Sequence, residues 1–270
     1  MDLGLSGRAC VVTGASRGIG RATARMLCVE GASVLLVARS EDTLLEAADE
    51  CAAAGLEKGG RAESLVADVT EAEAAERIVR EAGERLGPLE ILVNNAGTAR
   101  RRDLDDVPDQ DWYAAWELNV MAPMRLMRAA APAMRERGWG RIVNVSSSSG
   151  KRPSGSTPEY SVAKAAELSL SRLFADRFAG DGVLINAVCP GAVKTELWTD
   201  EGGLLDQVRE MEELSSRDEA LEAAASGRPI GRLAEVDEVA GAIVFLCSQH
   251  ASYTSGAAWS VDGGVVQIII

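Results

Sequence analysis

Tyr160 and Lys164 stand four residues apart, so on a helix they share one face. Free tyrosine has a pKa of about 10 and is a poor base at neutral pH. A cation within about 4–6 Å lowers such a pKa by roughly 1–3 units, which makes a phenol a usable proton donor and acceptor near pH 7. Ser147 falls in a small-residue loop, Ser146 to Ser156, after an apolar run. A hydroxyl at a strand end can hydrogen-bond a substrate oxygen as charge develops on it. Taken singly, Tyr-x-x-x-Lys recurs by chance in many helices, and a serine flanked by Ser146, Ser148 and Ser149 is an ordinary turn residue.

A second group of residues points to an anion. The stretch Thr13-Gly14-Ala15-Ser16-Arg17-Gly18-Ile19-Gly20 follows the apolar run Ala9–Val12 and opens a helix-like run, Arg21 to Glu30, closed by Gly31. Gly14 permits a tight turn, Gly18 leaves the backbone open to a pyrophosphate, and Gly20 lets helix and strand approach. The free N–H groups of the helix start then face the anion, with the helix dipole behind them. The glycine spacing is three residues, then one. A purely structural turn between strand and helix explains the same pattern, so the rest of the chain has to decide.

The composition narrows the classes. The 270 residues are 47% hydrophobic but only 4% aromatic. Ala, Val, Leu and Gly therefore carry the core, as expected for strands covered on both faces. A net charge of -13 and a pI near 4.7 argue against nucleic acid and anionic membranes as partners. The five cysteines, Cys10, Cys28, Cys51, Cys189 and Cys247, are scattered and mostly in apolar runs, which reads as reduced thiols with no metal site. With no leader-like start and no apolar run of membrane-spanning length, the expected location is cytoplasmic. The single histidine, His250, lies in a polar segment and is expected at the surface, which disfavours Ser-His-Asp hydrolysis.

The elements that must position these residues alternate. Strands are expected at Ala9–Val12, Ala32–Ala38, Glu63 to Asp68, Leu89–Val93, Gly140–Val145, Val183–Val188 and Ala257–Val261. Helices are expected from Arg21 to Glu30, up to about Ala54, after a capping box of Thr70 and Glu73, unbroken from Asp109 to Arg137, from Pro158 to Ala179 and from Val236 to Cys247. Alternation implies a parallel sheet with right-handed crossovers in one domain. The cluster Arg100-Arg101-Arg102, followed at once by acids, is expected to be solvated. Residues 192–225, with nine acids between Asp200 and Glu222, read as a lid over a substrate. The apolar tail, Val265 to Ile270, is expected to pack on the body or a second subunit.

In order along the chain, the Thr13–Gly20 motif, Asp68-Val69, Asn94-Asn95-Ala96-Gly97, Asn119, Ser147, Tyr160-x-x-x-Lys164 and Pro190-Gly191-x-x-x-Thr195 resemble the short-chain dehydrogenase/reductase family. The resemblance runs over essentially the whole chain, to Asp262-Gly263-Gly264, within the subgroup like 3-oxoacyl-acyl-carrier-protein reductases. It implies an α/β, single-domain Rossmann fold with a seven-stranded parallel sheet flanked by helices on both faces. It implies Tyr160 as catalytic acid/base, Ser147 polarising the substrate oxygen, Lys164 on the nicotinamide ribose and Asn119 supporting a relay water. By the same resemblance Gly14, Ser16, Arg17, Gly18, Ile19 and Gly20 hold the cofactor phosphates, and Asp68 and Val69 meet the adenine. Asn95, Ala96 and Gly97 line the cleft, and Pro190, Gly191, Val193 and Thr195 meet the nicotinamide end.

Cofactor choice follows from charge. NAD users place an acid at the end of strand two. Here that position is Ala38, followed by Arg39, with Arg17 in the glycine turn. Two guanidinium groups and no carboxylate suit a 2′-phosphate, so NADP(H) is expected, with NAD(H) as the alternative. Carrier-protein reductases usually carry basic residues where this chain has Gly138, beside Arg137, and Asp181. A small carbonyl or alcohol substrate is therefore preferred, met by Ser147, Ser148, Tyr160 and Trp198, with Arg152 and Ser154 as further candidates. The alternatives are a 3-oxoacyl-carrier-protein reductase and a non-catalytic NADP(H)-binding sensor. The family's usual assembly implies a homo-oligomer, tetramer or dimer.

Overall fold

The computed structural model describes residues 2–267. Its elements run β1 (Ala9–Thr13), α1 (Gly18–Val29), β2 (Ser33–Ala38), α2 (Glu41–Gly55), β3 (Arg61–Val66), α3 (Ala74–Leu86) and β4 (Ile91–Asn94). Then come α4 (Asp109–Trp116), a π-helical turn (Glu117–Met121), α5 (Ala122–Glu136), β5 (Gly140–Val145), α6 (Ser148–Lys151), α7 (Pro158–Phe178) and β6 (Val183–Pro190). The chain closes with α8 (Glu196–Thr199), α9 (Leu204–Met211), α10 (Arg217–Ser226), α11 (Val236–Cys247) and β7 (Ala258–Val261). The seven strands form one parallel sheet in the order β3-β2-β1-β4-β5-β6-β7. This is the expected Rossmann-type sheet. Its order reverses between β1 and β4, and ligands of such sheets sit at the strand C-termini beside that reversal.

Alternation along the strands sorts the core into two layers. Cys10, Val12, Val34 and Leu36 pack with Leu27, Leu44 and Val244 from α1, α2 and α11. Val11, Leu35 and Val37 pack with Ile78, Leu126, Met127 and Ala175 from α3, α5 and α7. Side chains on successive strand residues point to opposite faces, so a covered strand is apolar on both faces, with buried Arg141, Asn144 and Asn186 as polar exceptions in β5 and β6. That is why these runs are legible without alternation in the sequence.

Several local expectations are corrected. The third strand ends at Val66, so Asp68 and Val69 lie in the loop after it. There is no capping box at Thr70 and Glu73: the Thr70 hydroxyl donates to Asp68 Oδ1 at 2.7 Å, and α3 starts only at Ala74. The unbroken helix from Asp109 to Arg137 is instead interrupted by the π turn. Pro123 has no N–H to give the carbonyl of Asn119, and its ring would clash there in a regular α-helix; the wider turn relieves the clash. Of the apolar tail, Val265 and Val266 are half-buried, while Ile268, Ile269 and Ile270 lie outside the described residues. His250 is at the surface as expected, and all five cysteines are free and buried. Among the described residues no helix is long and apolar enough to cross a membrane.

Two glycines make the packing testable. A Cβ on Gly20 would sit 2.3 Å from the Gly14 carbonyl oxygen, whereas one on Gly83, exposed in α3, would meet nothing within 4 Å. In thermal or urea unfolding, Gly20→Ala is expected to destabilise by about 1–3 kcal/mol. Gly83→Ala is expected to stabilise by about 0.5–1 kcal/mol through helix propensity.

Candidate active site

The floor of the site is a seam between β1 and β4. Thr13 ends β1, and its hydroxyl oxygen accepts the N–H groups of Asn95 at 3.0 Å and Ala96 at 3.1 Å. In return the Asn95 side-chain amide donates to the Thr13 and Gly14 carbonyls at 2.9 and 3.1 Å. Asn95 therefore fastens the glycine turn to the loop after β4. The loop passes so close that a Cβ on Gly14 would lie 2.8 Å from Ala96 Cα. Gly14 and Gly18 both have positive φ, 63° and 55°, which L side chains rarely adopt. Ser16, Arg17, Gly18 and Ile19 face a cleft of about 1070 Å³ that runs along the sheet's C-terminal edge. Gly20 is buried behind it, packed against the Gly14 carbonyl and the Asn95 amide.

At one end of the cleft β2 stops at Ala38 with no carboxylate. Arg39 follows, exposed, with Nη1 3.7 Å from Asp68 Oδ2. Arg17, also exposed, lies 3.8 Å from Asp200. Burial alone would raise the Asp68 carboxyl, but hydrogen bonds from the Thr70 N–H and hydroxyl and the charge of Arg39 hold it below the usual range. Arg39 thus stands at this end on a weak, solvent-screened pair, whereas Arg17, in the glycine turn, reaches to Asp200 on the excursion after β6. Val69, Ala96 and Gly97 line the cleft as expected.

At the centre, α7 brings Tyr160 and Lys164 to the strand end that carries Ser147. The Lys164 side chain is 3% exposed. Its ammonium donates to the Val145 carbonyl at 2.8 Å and to Glu167 Oε2 at 3.0 Å, and lies 5.7 Å from the centre of the Tyr160 ring. Ser147 caps α6 and its oxygen accepts the Ser149 N–H at 3.0 Å. Its own proton is left to donate into the cleft. Asn119, 1% exposed, anchors its amide on the Ala115 carbonyl at 2.9 Å, while its Oδ1 is buried without a partner. A Cβ on Gly97 would meet that Oδ1 at 3.3 Å and the Lys164 ammonium at 3.8 Å. Gly97 therefore keeps open a small polar space between Asn119 and Lys164. The π turn is what aims Asn119 there.

The expected lowering of the Tyr160 phenol is corrected: burial outweighs the pull of the Lys164 charge and the Ser147 hydroxyl, Glu167 adds to it, and the phenol lies above the usual tyrosine range. Burial would lower Lys164, but its charge partner Glu167 holds it above the usual lysine range, so the ammonium stays charged. Glu167 was not anticipated from the sequence. The signal was present: an acid three residues after Lys164 lies on the same helix face, and that face had to be buried against β5.

The other side of the cleft is built by the excursion after β6. Pro190, Gly191, Val193 and Thr195 line it, with Ser148, Ser154 and Trp198. Arg152 is exposed and lines nothing there. Helices α9 and α10 carry a small core of Leu205, Val208 and Ala220, backed by Trp198, so residues 192–225 are a packed subassembly. The arginine cluster is corrected in part. Only Arg100 is exposed; Arg101 and Arg102 are half-buried along the cleft, because Asp111, Glu159 and Glu212 draw them in.

Comparison with known proteins agrees with this geometry. A family model described as enoyl-(acyl carrier protein) reductase matches residues 14–266. Galactitol 2-dehydrogenase (L-tagatose-forming) of Cereibacter sphaeroides is 38% identical over 263 residues, spanning 96% of this chain and 95% of the relative. The 3-oxoacyl-[acyl-carrier-protein] reductase of Escherichia coli is 32% identical over 271 residues, spanning 98% and 100%. Among solved structures, L-sorbose reductase of Gluconobacter frateurii, complexed with NADPH and L-sorbose, superposes with a TM-score of 0.90 at 36% identity over all of both chains.

Two measurements check the electrostatics. Without Glu167 the buried Lys164 loses the partner that keeps it charged, and Tyr160 loses the charge that lowers it. In Glu167→Gln, the midpoint of the rise of alcohol oxidation with pH is therefore expected to move to higher pH, by about 1 unit. At the other end of the cleft, Arg39→Ala is expected to weaken NADPH binding about tenfold in a fluorescence titration while leaving NADH nearly unchanged.

Proposed function

The chain belongs to the short-chain dehydrogenase/reductase family, and we propose that it is an NADP(H)-dependent oxidoreductase interconverting a small carbonyl compound and its alcohol, with Tyr160 as acid/base. The observation that carries this reading is the convergence of four groups on one cleft. These are the Ser147 hydroxyl, the Tyr160 phenol, the buried Lys164 ammonium and the unpartnered Asn119 Oδ1. The residues fit a dinucleotide. The glycine turn is open to a pyrophosphate, Arg39 follows the end of β2 where a 2′-phosphate would lie, Arg17 stands exposed in the glycine turn, and the cleft exceeds the usual size of a small-ligand pocket.

When bound, the nicotinamide supplies or accepts a hydride. In reduction, Ser147 donates a hydrogen bond to the substrate carbonyl oxygen, which steadies the charge growing there. Tyr160 gives its proton to that oxygen. Two of the three ammonium donors of Lys164 are taken by Val145 and Glu167. The third is left for a ribose hydroxyl or for a water held by Asn119, through which Tyr160 is reprotonated. Residues 192–225, closed over the cleft through Trp198, act as the substrate lid.

A small substrate is favoured over a carrier-bound one. Of the basic residues near Gly138 and Asp181, Arg135 is 2.9 Å from Asp181, and Arg137 is occupied by the Leu89 carbonyl. A homo-oligomer is supported by apolar side chains left exposed on α4 and α7, namely Tyr113, Trp116, Val162 and Leu173.

The test is Tyr160→Phe, assayed over a carbonyl panel with NADPH. The variant is expected to keep NADPH binding and lose about 10²–10⁴-fold in kcat. Equal, near-zero rates for both proteins would point instead to a protein that binds the cofactor without turning it over.

A further inference from the structure

Two guanidinium groups face the cleft on either flank of the strand end that carries Ser147. Arg101 lies on the loop after β4. Arg228 ends the excursion after β6, where the next residues pack over Gly263 and Gly264 beyond β7. The strand bearing Ser147, β5, sits between β4 and β6. Both arginines are half-buried, and each has an Nε that is buried without a hydrogen-bond partner. Burying a cation without a counter-charge is costly.

The acids of the cleft do not meet that need. Asp111 and Glu159 are held by Arg102, Glu117 by Arg125, and Asp68 by Thr70 and Arg39. Glu196 sits against Gly18, at the glycine turn. Arg101 has one acid, Glu212 on the lid, at 3.5 Å. Arg228 has none within 4 Å among the described residues. Asp262, which acts on it from farther away, is occupied by the N–H groups of Gly264 and Val266 at 3.0 and 3.1 Å. Burial first, and then the charge of Arg101, pushes Arg228 below the usual arginine range. The pair is thus mutually repelling and short of negative charge beside the reacting hydroxyls.

We infer that Arg101 and Arg228 form an anion subsite, and that the substrate is a small oxo compound bearing a carboxylate or phosphate that this pair grips while its carbonyl meets Ser147 and Tyr160. Guanidinium forks bind such groups through paired, charge-assisted hydrogen bonds. The lid takes part. The Arg101 N–H donates to Gln207 Oε1 at 2.7 Å and its side chain pairs with Glu212, so α9 and the strip after it close directly onto one half of the subsite. An entering anion displaces Glu212 from Arg101. The inference rests on the carbonyl-reductase reading of this cleft.

The experiment pairs each acid with its neutral counterpart in the presence of NADPH: C4 to C6 oxo acids with their methyl esters, and ketose phosphates with the free ketoses. Wild type is expected to favour at least one acidic member over its counterpart about tenfold or more in kcat/KM. The preferred pair tells carboxylate from phosphate. Arg228→Gln is expected to collapse that ratio about tenfold, Arg228→Lys to keep most of it, and Arg101→Gln to reduce it independently. Neutral members reduced as well as the acidic ones throughout would overturn the subsite and leave the reductase reading intact. If no member is turned over, the reductase reading fails. Calorimetric titration of the NADPH-bound protein with the same acids then decides the subsite: binding lost in Arg228→Gln sustains it, and absence of binding in wild type overturns it.

Discussion

A charged ammonium buried at the end of β5 is the constraint around which the site is arranged. Lys164 cannot be left unpaired there, because a lone buried cation costs several kcal/mol. The Val145 carbonyl and Glu167 carboxylate meet that demand. In doing so they lock α7 to β5, and the Ser146 hydroxyl adds a further tie to the Lys164 carbonyl at 3.1 Å. Tyr160, one turn earlier, and Ser147, two residues beyond Val145, are then fixed relative to each other. Glu167 has a second effect. It keeps Lys164 charged while offsetting part of that charge at the Tyr160 ring, so the phenol is tuned by two opposed neighbours.

The remainder of the cleft is held by a different device. Four hydrogen bonds cross the β1–β4 seam, two accepted by the Thr13 hydroxyl from the Asn95 and Ala96 N–H groups and two donated by the Asn95 side-chain amide to the Thr13 and Gly14 carbonyls, and glycine at 14 lets the two loops touch. The same reversal of strand order that opens the crevice is therefore closed at its base by polar contacts. Three of those contacts come from an asparagine that reads, from sequence, as a cofactor contact.

The strands were legible because a doubly covered parallel sheet demands largely apolar runs, and the pair Tyr160 and Lys164 because the two share a helix face whatever surrounds them. What escaped the sequence reading depended on distant partners. Arg101 and Arg102 carry no local sign of burial; acids 9, 57 and 111 residues away draw them in. The π turn at Asn119 was foreshadowed by Pro123, whose missing N–H and ring disfavour a regular helix there, but a proline alone does not decide it, since Pro132 sits within α5 without such a turn. Glu167 was hidden because an acid on a long helix is usually solvated, and only the packing of α7 on β5 makes it a partner of Lys164.

The matching family model is described by reduction of a carbon–carbon double bond, whereas the cleft described here is built around a carbonyl oxygen. The most direct measurement separates the two. An α,β-unsaturated ketone would be incubated with the protein and NADPH dideuterated at nicotinamide C4, and the product analysed by mass spectrometry and NMR. The present account predicts one deuterium on the former carbonyl carbon of an allylic alcohol, with the double bond intact. Deuterium on the β-carbon of a saturated ketone would contradict it, and would require Ser147 and Tyr160 to serve a different reaction from the one assigned to them.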